Sequence, residues 1–421
     1  MNVSRKAFLG MGGAFLAAGC VSAPEGKPTA GGKVIQGFDE KKTDEPVGAE
    51  WQPYSDRKVR VGIAGNGVCG FGACFGYQGH PNVEVVACAE LDPEKLKGLQ
   101  AAVGAQKAYP SCEEMIRHAA EDRLEAIYIA TDAKSHVELC IMGLEHGLNV
   151  CSAVPAILGR EQLEFVPKLI DAVKRSGKLY QMNETTAFRP QAYAMRKLYE
   201  AGKLGAITYT EGEYFHPSGN DLASEGTPSY NGWRKGLPPQ YYPTHSNGYY
   251  TCVTHKRFTE VTCTGVPSLK YSYAKGNRYG NPFGSEFAMF HCEDGSAARM
   301  LVAWDQPAAK GCGEDGRIWG QKGCYVPERG GYFGWYEDEV KAMDLIRPQL
   351  PKSMAFPGPA AWYHGGSHGY LTDDFIHGIL VKDHRICCDL KTALDTTIAG
   401  IYAHMSAMKG GETLKIPAVL A

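Results

Sequence analysis

The stretch VRVGIAGNGVCG, residues 59–70, constrains the fold of this chain more than any other, because an apolar strand runs directly into a glycine-rich turn. The pattern is G-x-G-x-x-G, and its glycines are Gly65, Gly67 and Gly70. In such a turn the first glycine allows the tight bend, the second lets backbone N–H groups approach a pyrophosphate, and the third lets the next helix pack closely. The stretch predicts a dinucleotide site that includes Asn66; the alternative is a strand-to-helix turn without a ligand.

A second apolar stretch, VEVVACAEL at 83–91, supports the dinucleotide interpretation because it predicts the next strand and ends beside Glu90. A carboxylate about 20 residues beyond such a glycine turn accepts hydrogen bonds from a ribose and repels a 2′-phosphate. The sequence therefore predicts NAD rather than NADP as the cofactor.

The wider pattern predicts two domains of the α/β class. Over residues 57–184 apolar strands alternate with helical segments, including a helix at 69–78, which is typical of a Rossmann-like doubly wound parallel sheet. Over 185–421 alternating stretches such as ITYTEGEYF and SEFAMFHCED predict an α+β domain with a large, mostly antiparallel open sheet. Residues 216–258, rich in Tyr, Pro, Gly and Asn, are predicted to form an irregular functional loop.

The first 20 residues have the pattern of an export signal rather than of a folded element. A basic pair is followed by an apolar stretch, and LAAGC ends at Cys20, as in a lipoprotein signal. The segment SRKAFLG resembles a twin-arginine motif with lysine in place of one arginine, and ordinary Sec export is the alternative. Residues 21–56 are predicted to be a flexible tether, so we expect a lipid-anchored protein of the cell envelope or periplasm whose contact with the membrane is the anchor alone.

Charge and residue spacing argue against a nucleic-acid partner and against a metal site. A formal net charge of -2 leaves no basic excess for neutralising phosphates, so we do not expect a nucleic-acid partner. The histidines and cysteines lack the spacing of zinc ligands, so no metal site is predicted. The open sheet is a candidate surface for a homo-oligomer.

Four blocks of sequence resemble the Gfo/Idh/MocA oxidoreductase family, and the resemblance extends over nearly all of residues 57–417. It is closest to the NAD-dependent glycosidases of glycoside hydrolase family 109. The blocks are IYIATDAKSH at 127–136, ETTAFRP at 184–190, WR at 233–234 with YPTH at 242–245, and HGG at 364–366.

The resemblance implies a role for individual positions. The implied cofactor contacts are Val68, Cys69, Glu90, Ala133, His136, Ala153, Val154 and Thr185, with His136 structural to the pocket. The implied substrate or catalytic positions are Phe188, Arg234, Tyr242, His245 and His364. Val154 stands where ordinary dehydrogenases of the family have a proton-moving lysine, a loss shared with the glycosidase branch. Phe188 stands where that branch has a tyrosine.

The implied activity acts on a carbohydrate and begins with hydride transfer at a ring carbon, C3 in the glycosidase interpretation. Oxidation at C3 would acidify the C2 hydrogen, so a base such as Tyr242 or His245 could start elimination of the C1 group before water adds and the hydride returns. One alternative is a sugar 3-dehydrogenase that stops at the ketone. Another is a non-catalytic sugar-binding lipoprotein, in which Tyr242 and His245 are simply packed residues.

We expect the mature protein to begin at a lipidated Cys20, because the signal ends in LAAGC. Intact-mass spectrometry of the membrane fraction should find a chain that lacks residues 1–19 and carries acyl groups. Cys20→Ser should remain unlipidated, and a wild-type mature chain that retained residues 1–19 would contradict this prediction.

Overall fold

The computed structural model describes residues 50–67, 69–216, 232–268, 277–306, 313–327, 331–336, 339–344, 350, 356 and 364–420. The predicted export signal, Cys20, the tether up to residue 49 and Val68 lie outside the described residues. Within the described part of the chain, no helix has both the length and the apolar character that crossing a bilayer requires.

The N-terminal domain is a parallel sheet with helices on its faces. Strands β1 to β6 span Val59–Ala64, Val83–Ala89, Lys107–Tyr109, Ala126–Ile129, Asn149–Ser152 and Tyr180–Met182. Helices α1 to α5 span Phe71–Cys74, Pro93–Val103, Cys112–Arg117, His136–Glu145 and Val166–Ser176. The strand order is β3-β2-β1-β4-β5-β6, which is the order of a doubly wound dinucleotide-binding sheet. The central strands are buried and mostly apolar, apart from Arg60 near the start of β1, because both faces of the sheet are covered. The predicted Rossmann-like sheet is therefore confirmed.

The first helix is much shorter than the predicted helix at 69–78. Helix α1 ends at Cys74, and Gly76 has a φ of 74°, a left-handed conformation that an α-helix does not continue through. Gly70, just before the helix, is also left-handed, with a φ of 59°. Gly70, the last glycine of the turn, and Gly76 therefore confine the helix to Phe71–Cys74.

The C-terminal domain is built on one large sheet. Strands β7 to β15 span Ile207–Phe215, Phe258–Pro267, Phe283–Cys292, Ala297–Ala303, Glu314–Gly320, Gly323–Val326, Gly331–Tyr336, Glu339–Asp344 and Leu414–Lys415. Helices α6 to α9 span Pro190–Glu200, Thr244–Thr254, Ser367–Leu380 and Leu390–Met408. The order β14-β13-β12-β11-β7-β10-β9-β8-β15 contains one parallel pair, β7 with β10. The predicted mostly antiparallel sheet is confirmed.

Helix α7 corrects the prediction that residues 216–258 form an irregular loop. All its residues, Thr244–Thr254, are buried, although its first turn follows a proline-rich stretch with no helical pattern. Its backbone lies directly on β7, since a Cβ added to Gly212 would come 2.1 Å from the Ser246 carbonyl oxygen. Tertiary packing on the sheet therefore stabilises a helix that local propensity does not favour.

The opposite face of the large sheet is open on β8 and β9. Val266, Phe287 and Met289 are exposed there, with Met289 at 47%. A homo-oligomer that forms through this sheet stays a prediction.

Residues 50–56 were predicted to belong to the flexible tether, and the structure instead packs Trp51 and Tyr54 against the N-terminal domain and helix α8. Trp51 donates its indole N–H to Asp373 of helix α8 over 2.7 Å, and Tyr54 donates its hydroxyl to the same carboxylate. His80 of the N-terminal domain lies 3.0 Å from that carboxylate. One buried aspartate therefore ties the first described residues and the N-terminal domain to helix α8.

We expect Trp51→Ala to lower the free energy of unfolding by about 3–5 kcal/mol, because it removes a buried indole and one donor to Asp373. Urea unfolding followed by far-UV circular dichroism measures the change. Met408→Ala is the control, since Met408 is 48% exposed and should change the free energy by only about 0.5 kcal/mol. Equal stability of the two variants would contradict the anchoring role of Trp51.

Candidate functional site

The predicted cofactor turn lies at the carboxyl end of β1. Gly65 has a φ of 98°, and a Cβ there would come 2.4 Å from the Ala130 carbonyl oxygen. Nothing lies within 4 Å of the place where a Cβ on Gly67 would point, so the turn is open to a ligand at that glycine. This geometry fits a dinucleotide, since backbone can approach a pyrophosphate at an open glycine.

Glu90 lies beside the same turn, as the sequence predicted. One carboxylate oxygen accepts the backbone N–H of Asn66 over 2.5 Å, and the other accepts the N–H of Leu91 over 2.8 Å. Glu90 also lines the cleft above the turn, where a ribose would reach it. The carboxylate therefore both holds the turn and offers an acceptor to a ribose.

A cleft of about 530 Å³ joins this turn to the second domain. Its lining includes Gly67, Cys69, Glu90, Asp132 and Arg234. Ala133, Ala153 and Val154 are buried near the carboxyl ends of β4, which neighbours β1 in the sheet, and of β5, which neighbours β4. Ligands of doubly wound sheets bind at this edge, so the predicted cofactor residues lie together at the expected place.

His136 has a structural position. Its Nδ1 lies 2.9 Å from the Pro155 carbonyl oxygen and its Nε2 lies 3.3 Å from that of Thr131. Burial lowers the pKa of this histidine below its ordinary value. The neutral ring therefore links the loops that follow β4 and β5, and its supporting role in the cofactor pocket stays a prediction.

Tyr242 and His245 lie together at the start of α7, in the second domain. Their ring centroids are 5.5 Å apart. Arg234 stacks its guanidinium over Trp233 at 4.4 Å and over Tyr242 at 5.6 Å. Burial raises the pKa of Tyr242 to about 12, although Arg234 opposes the shift, so the phenol keeps its proton at neutral pH. Tyr242 is therefore suited to donating a hydrogen bond or a proton.

Two further aromatic residues, which no sequence motif singled out, pack around this pair. The ring of Tyr214 lies 4.6 Å from that of His245 and 6.0 Å from that of Trp304. Tyr214 comes from β7, and its side of the strand could be read from alternation, but its meeting with α7 depends on the tertiary fold.

The acidic surroundings of His245 were not predicted from the sequence either. Glu184, directly after β6, places Oε1 3.0 Å from His245 Nδ1, and Glu314 on β11 places Oε1 3.9 Å from the same atom. Burial alone would lower the pKa of His245, but the two carboxylates raise it above its ordinary value. Glu184 could have been found from the sequence, because it follows a predicted strand at the carboxyl edge of the parallel sheet. No motif in the sequence around Glu314 indicates a site residue.

Glu184 and Glu314 have other partners as well. Glu184 Oε1 accepts the backbone N–H of Thr186 over 2.8 Å, and Glu314 accepts two hydrogen bonds from Arg189, over 3.1 and 2.5 Å. Burial would raise the pKa of Glu184, yet the charge and hydrogen bond of His245 bring it down to about 2. Glu184 is therefore ionised at neutral pH.

The ligand atoms of Glu184, His245 and Glu314 all lie within 4.8 Å of one another, close enough to hold a cation. A cation would have to displace the Arg189 guanidinium from Glu314 and the imidazole from Glu184. Because each carboxylate already has cationic and neutral donors, we interpret the cluster as an ion-pair network.

Two remaining candidates have different surroundings. His364 has a φ of 48° and lies 4.7 Å, ring to ring, from His368; desolvation and the charges of His245 and Arg189 lower its pKa to about 4. Phe188 is 2% exposed and stacks on Tyr370 of α8 at 5.8 Å. This packing gives no support to the predicted substrate contact of Phe188, because its ring is part of the core. Thr185 lies nearer the site, with Oγ1 3.3 Å from His245 Nδ1.

Comparisons with known proteins agree with this geometry. Residues 59–184 match the model of the Gfo/Idh/MocA family, described as an oxidoreductase family with an NAD-binding Rossmann fold. The predicted resemblance is confirmed for this domain. The first domain is therefore similar to the NAD-binding domain of this oxidoreductase family.

Two curated relatives are similar over part of the chain. A glycosyl hydrolase family 109 protein of Porphyromonas gingivalis is 29% identical over 200 residues, 45% of this chain and 41% of the relative. An alpha-N-acetylgalactosaminidase of Bacteroides fragilis is 27% identical over 133 residues, 30% of this chain and 31% of the relative. The chain thus matches less than half the length of these relatives.

Solved structures share the fold of both domains. One is an inositol dehydrogenase homolog from Azotobacter vinelandii, complexed with NADH and myo-inositol, with a TM-score of 0.68 and 16% identity. The match covers 87% of this chain and 100% of the homolog. A scyllo-inositol dehydrogenase from Lactobacillus casei, with bound NAD(H) and scyllo-inositol, has a TM-score of 0.64 at 18% identity and covers 86% of this chain and 99% of its own. At these identities the likeness shows the fold alone.

We expect the protein to bind NAD more tightly than NADP, because Glu90 offers an acceptor to the ribose and repels a 2′-phosphate. Glu90→Gln should lower the ratio of NAD affinity to NADP affinity by roughly tenfold, which corresponds to about 1.4 kcal/mol of binding free energy. Titration calorimetry with both dinucleotides measures it, and Glu94→Gln is the control because Glu94 is an exposed partner of Lys97. Equal affinity of the wild type for NAD and NADP would show that the role assigned to Glu90 is wrong.

Proposed function

We propose that this protein is an NAD-dependent carbohydrate-active enzyme that transfers a hydride at a sugar ring carbon. The observation that carries the proposal is that Tyr242, which packs against His245, lies under the guanidinium of Arg234, and Arg234 lines the same cleft as the glycine turn. Two side chains that can exchange protons close to the dinucleotide site support this function. The aromatic rings of Tyr214 and Trp304 pack against Tyr242, and aromatic walls that carry a small number of polar groups are typical of sites for small organic ligands.

The proposed reaction is glycoside cleavage that starts at C3 of the sugar. NAD, when bound, supplies a hydride acceptor that later returns the hydride, so the cycle has no net redox change. Oxidation at C3 makes the C2 hydrogen acidic, elimination expels the group at C1, and water adds to the resulting double bond. Two observations support this route: Val154 replaces the lysine of ordinary dehydrogenases, and two similar proteins have glycosidase names.

His245, Tyr242 and Arg234 would have different roles in the reaction. His245 would remove the C3 hydroxyl proton or the C2 hydrogen after losing its own proton, so this step should be faster above the raised pKa of the histidine. Tyr242 keeps its proton at neutral pH and would donate a hydrogen bond to a sugar oxygen. Arg234, whose guanidinium packs over the rings of Trp233 and Tyr242, would bind hydroxyl groups.

A sugar 3-dehydrogenase without cleavage is the second candidate. The resembled glycosidases have a tyrosine where this chain has Phe188, and the buried phenyl ring supplies no hydroxyl to the sugar. We place either enzyme in the cell envelope, on a lipid anchor at Cys20, on the basis of the export-type pattern of residues 1–20. A sugar-binding lipoprotein without activity is the outcome in which neither product forms.

We expect His245→Ala and Tyr242→Phe each to slow turnover by about 10²–10⁴, the usual contribution of a positioned acid or base. NAD affinity should stay nearly unchanged, because neither side chain lines the glycine turn. Turnover of a panel of aryl glycosides and free sugars measures the loss. His146→Ala and Tyr402→Phe are matched controls away from the cleft, and full activity in both test variants would exclude this pair and direct attention to His364.

The same glycosides in deuterated water distinguish the candidate reactions. Elimination predicts that the wild type places deuterium at C2 of the released sugar, which mass spectrometry detects. Release of sugar without deuterium at C2 would exclude elimination. Accumulation of ketosugar with intact glycosidic bonds would identify the dehydrogenase, and no product at all would favour the binding protein.

A further inference from the structure

His245 is enclosed by charged groups in a way that neither the predicted base role nor the family resemblance explains. Its Nδ1 lies 3.0 Å from Glu184 Oε1, whose side chain is fully buried, and 3.9 Å from Glu314 Oε1. Within the described part of the chain no group hydrogen-bonds the other ring nitrogen, Nε2. One nitrogen of the ring is therefore held by the protein and the other is left for exchange of a proton.

The charges around the imidazole balance only when the histidine is protonated. The charged and titratable groups that face it are Glu184 from the segment after β6, Arg189 before α6, Tyr214 on β7, Tyr242 before α7, Glu314 on β11 and His364 before α8. Burial keeps both phenols neutral, and His364, with its pKa lowered to about 4, is neutral as well. Two carboxylates against one guanidinium leave one negative charge, which an imidazolium cancels.

We propose that Glu184 is a positioning residue that fixes His245 with its proton on Nδ1 and leaves Nε2 as the atom that exchanges protons with the substrate. The proposal rests on the proton-transfer role given to His245 under the proposed function. Burial makes the arrangement strong, because a carboxylate out of water interacts with a neighbouring imidazole far more than it would at the surface. An Nδ1–H donor to a buried carboxylate also sets the tautomer, as in other histidine–carboxylate pairs.

Glu314 has a different part in the same cluster. Arg189 donates two hydrogen bonds to it, so much of its charge is already neutralised, and it lies almost 1 Å farther from Nδ1 than Glu184 does. Glu184 has no guanidinium partner among the described residues, and its strongest charged contact is the histidine. Of the two carboxylates, Glu184 is therefore the one that controls the ring.

The decisive measurement is the ionisation and tautomer of His245 in the full-length protein. In a protein labelled with ¹⁵N-histidine, the His245 resonances are those that disappear in His245→Asn. We expect the wild-type ring to carry hydrogen on Nδ1 and to titrate above the ordinary histidine value, and Glu184→Gln to move the midpoint to lower pH. Glu213→Gln is the matched control, because Glu213 pairs with Arg317 on the large sheet and should leave the midpoint unchanged.

The pH dependence of activity gives a second readout, because replacing a residue with a merely structural role would not shift it in the same way. Glu184→Gln should lower kcat/KM by about 10² or more and shift the acid limb of its pH profile to lower pH, while Glu184→Asp, which keeps a carboxylate, should restore much of the rate. Metal analysis of the purified protein should find no stoichiometric divalent ion.

Each outcome decides something. Three results would overturn the proposal: a wild-type ring with hydrogen on Nε2 alone, a titration midpoint of His245 that is unchanged in Glu184→Gln, or a metal ion bound in one-to-one ratio. The first and the third are measured on the wild-type protein, so they do not depend on whether a variant folds. If the ring behaves as proposed and no sugar or glycoside is converted, the positioning role of Glu184 stands and the proposed function fails.

Discussion

The seating of helix α7 on the large sheet is the constraint on which the candidate site depends. The helix is buried along its whole length, and its approach to β7 is so close that Gly212 has no room for a side chain. Helix α9 packs against the segment just before α7, where a Cβ on Gly400 would come 2.3 Å from the Gln240 carbonyl oxygen and 2.4 Å from Pro243. Because the sheet holds α7 itself and α9 holds the segment that leads into it, the first turn of α7, with His245, has little freedom to move.

The fixed position of α7 on the large sheet brings together groups from both domains. Glu184 leaves the last strand of the NAD-binding sheet and meets His245 of the second domain, while Arg189 and Glu314 hold each other beside them. The carboxyl edge of the parallel sheet thus supplies the cofactor turn and also one end of the charge network. A site built on strand ends and a buried helix is suited to chemistry that needs fixed distances between cofactor, acid or base, and sugar.

The first described residues add a second connection between the two halves. Asp373 accepts hydrogen bonds from Trp51 and Tyr54, and His80 of the NAD-binding domain lies against the same carboxylate. Helix α8 carries Asp373 and begins at Ser367, shortly after His364, so the contacts that secure the N-terminal segment also hold the helix that follows this candidate residue. The proposed tether therefore has to end before residue 50.

Much of the NAD-binding domain was readable from local pattern, because a parallel sheet buried on both faces needs apolar strands and a dinucleotide turn needs its glycines. Gly65, Gly67 and Glu90 were predicted with their roles, and the family match over 59–184 confirms the domain they belong to. The second domain was predicted as a sheet, while α7 was missed because its helix is stabilised by tertiary contacts and not by its own residues.

The sequence by itself determined the residue types of the site, because Arg234, Tyr242 and His245 belong to short motifs that can be read along the chain. Only the tertiary structure decided their chemistry. Glu314 is 69 positions from His245 along the chain, and no local pattern links residues that distant. The charge state of a buried imidazole depends on which carboxylates the fold places around it, and Coulomb energies at 3–4 Å are fixed by that placement rather than by sequence neighbours.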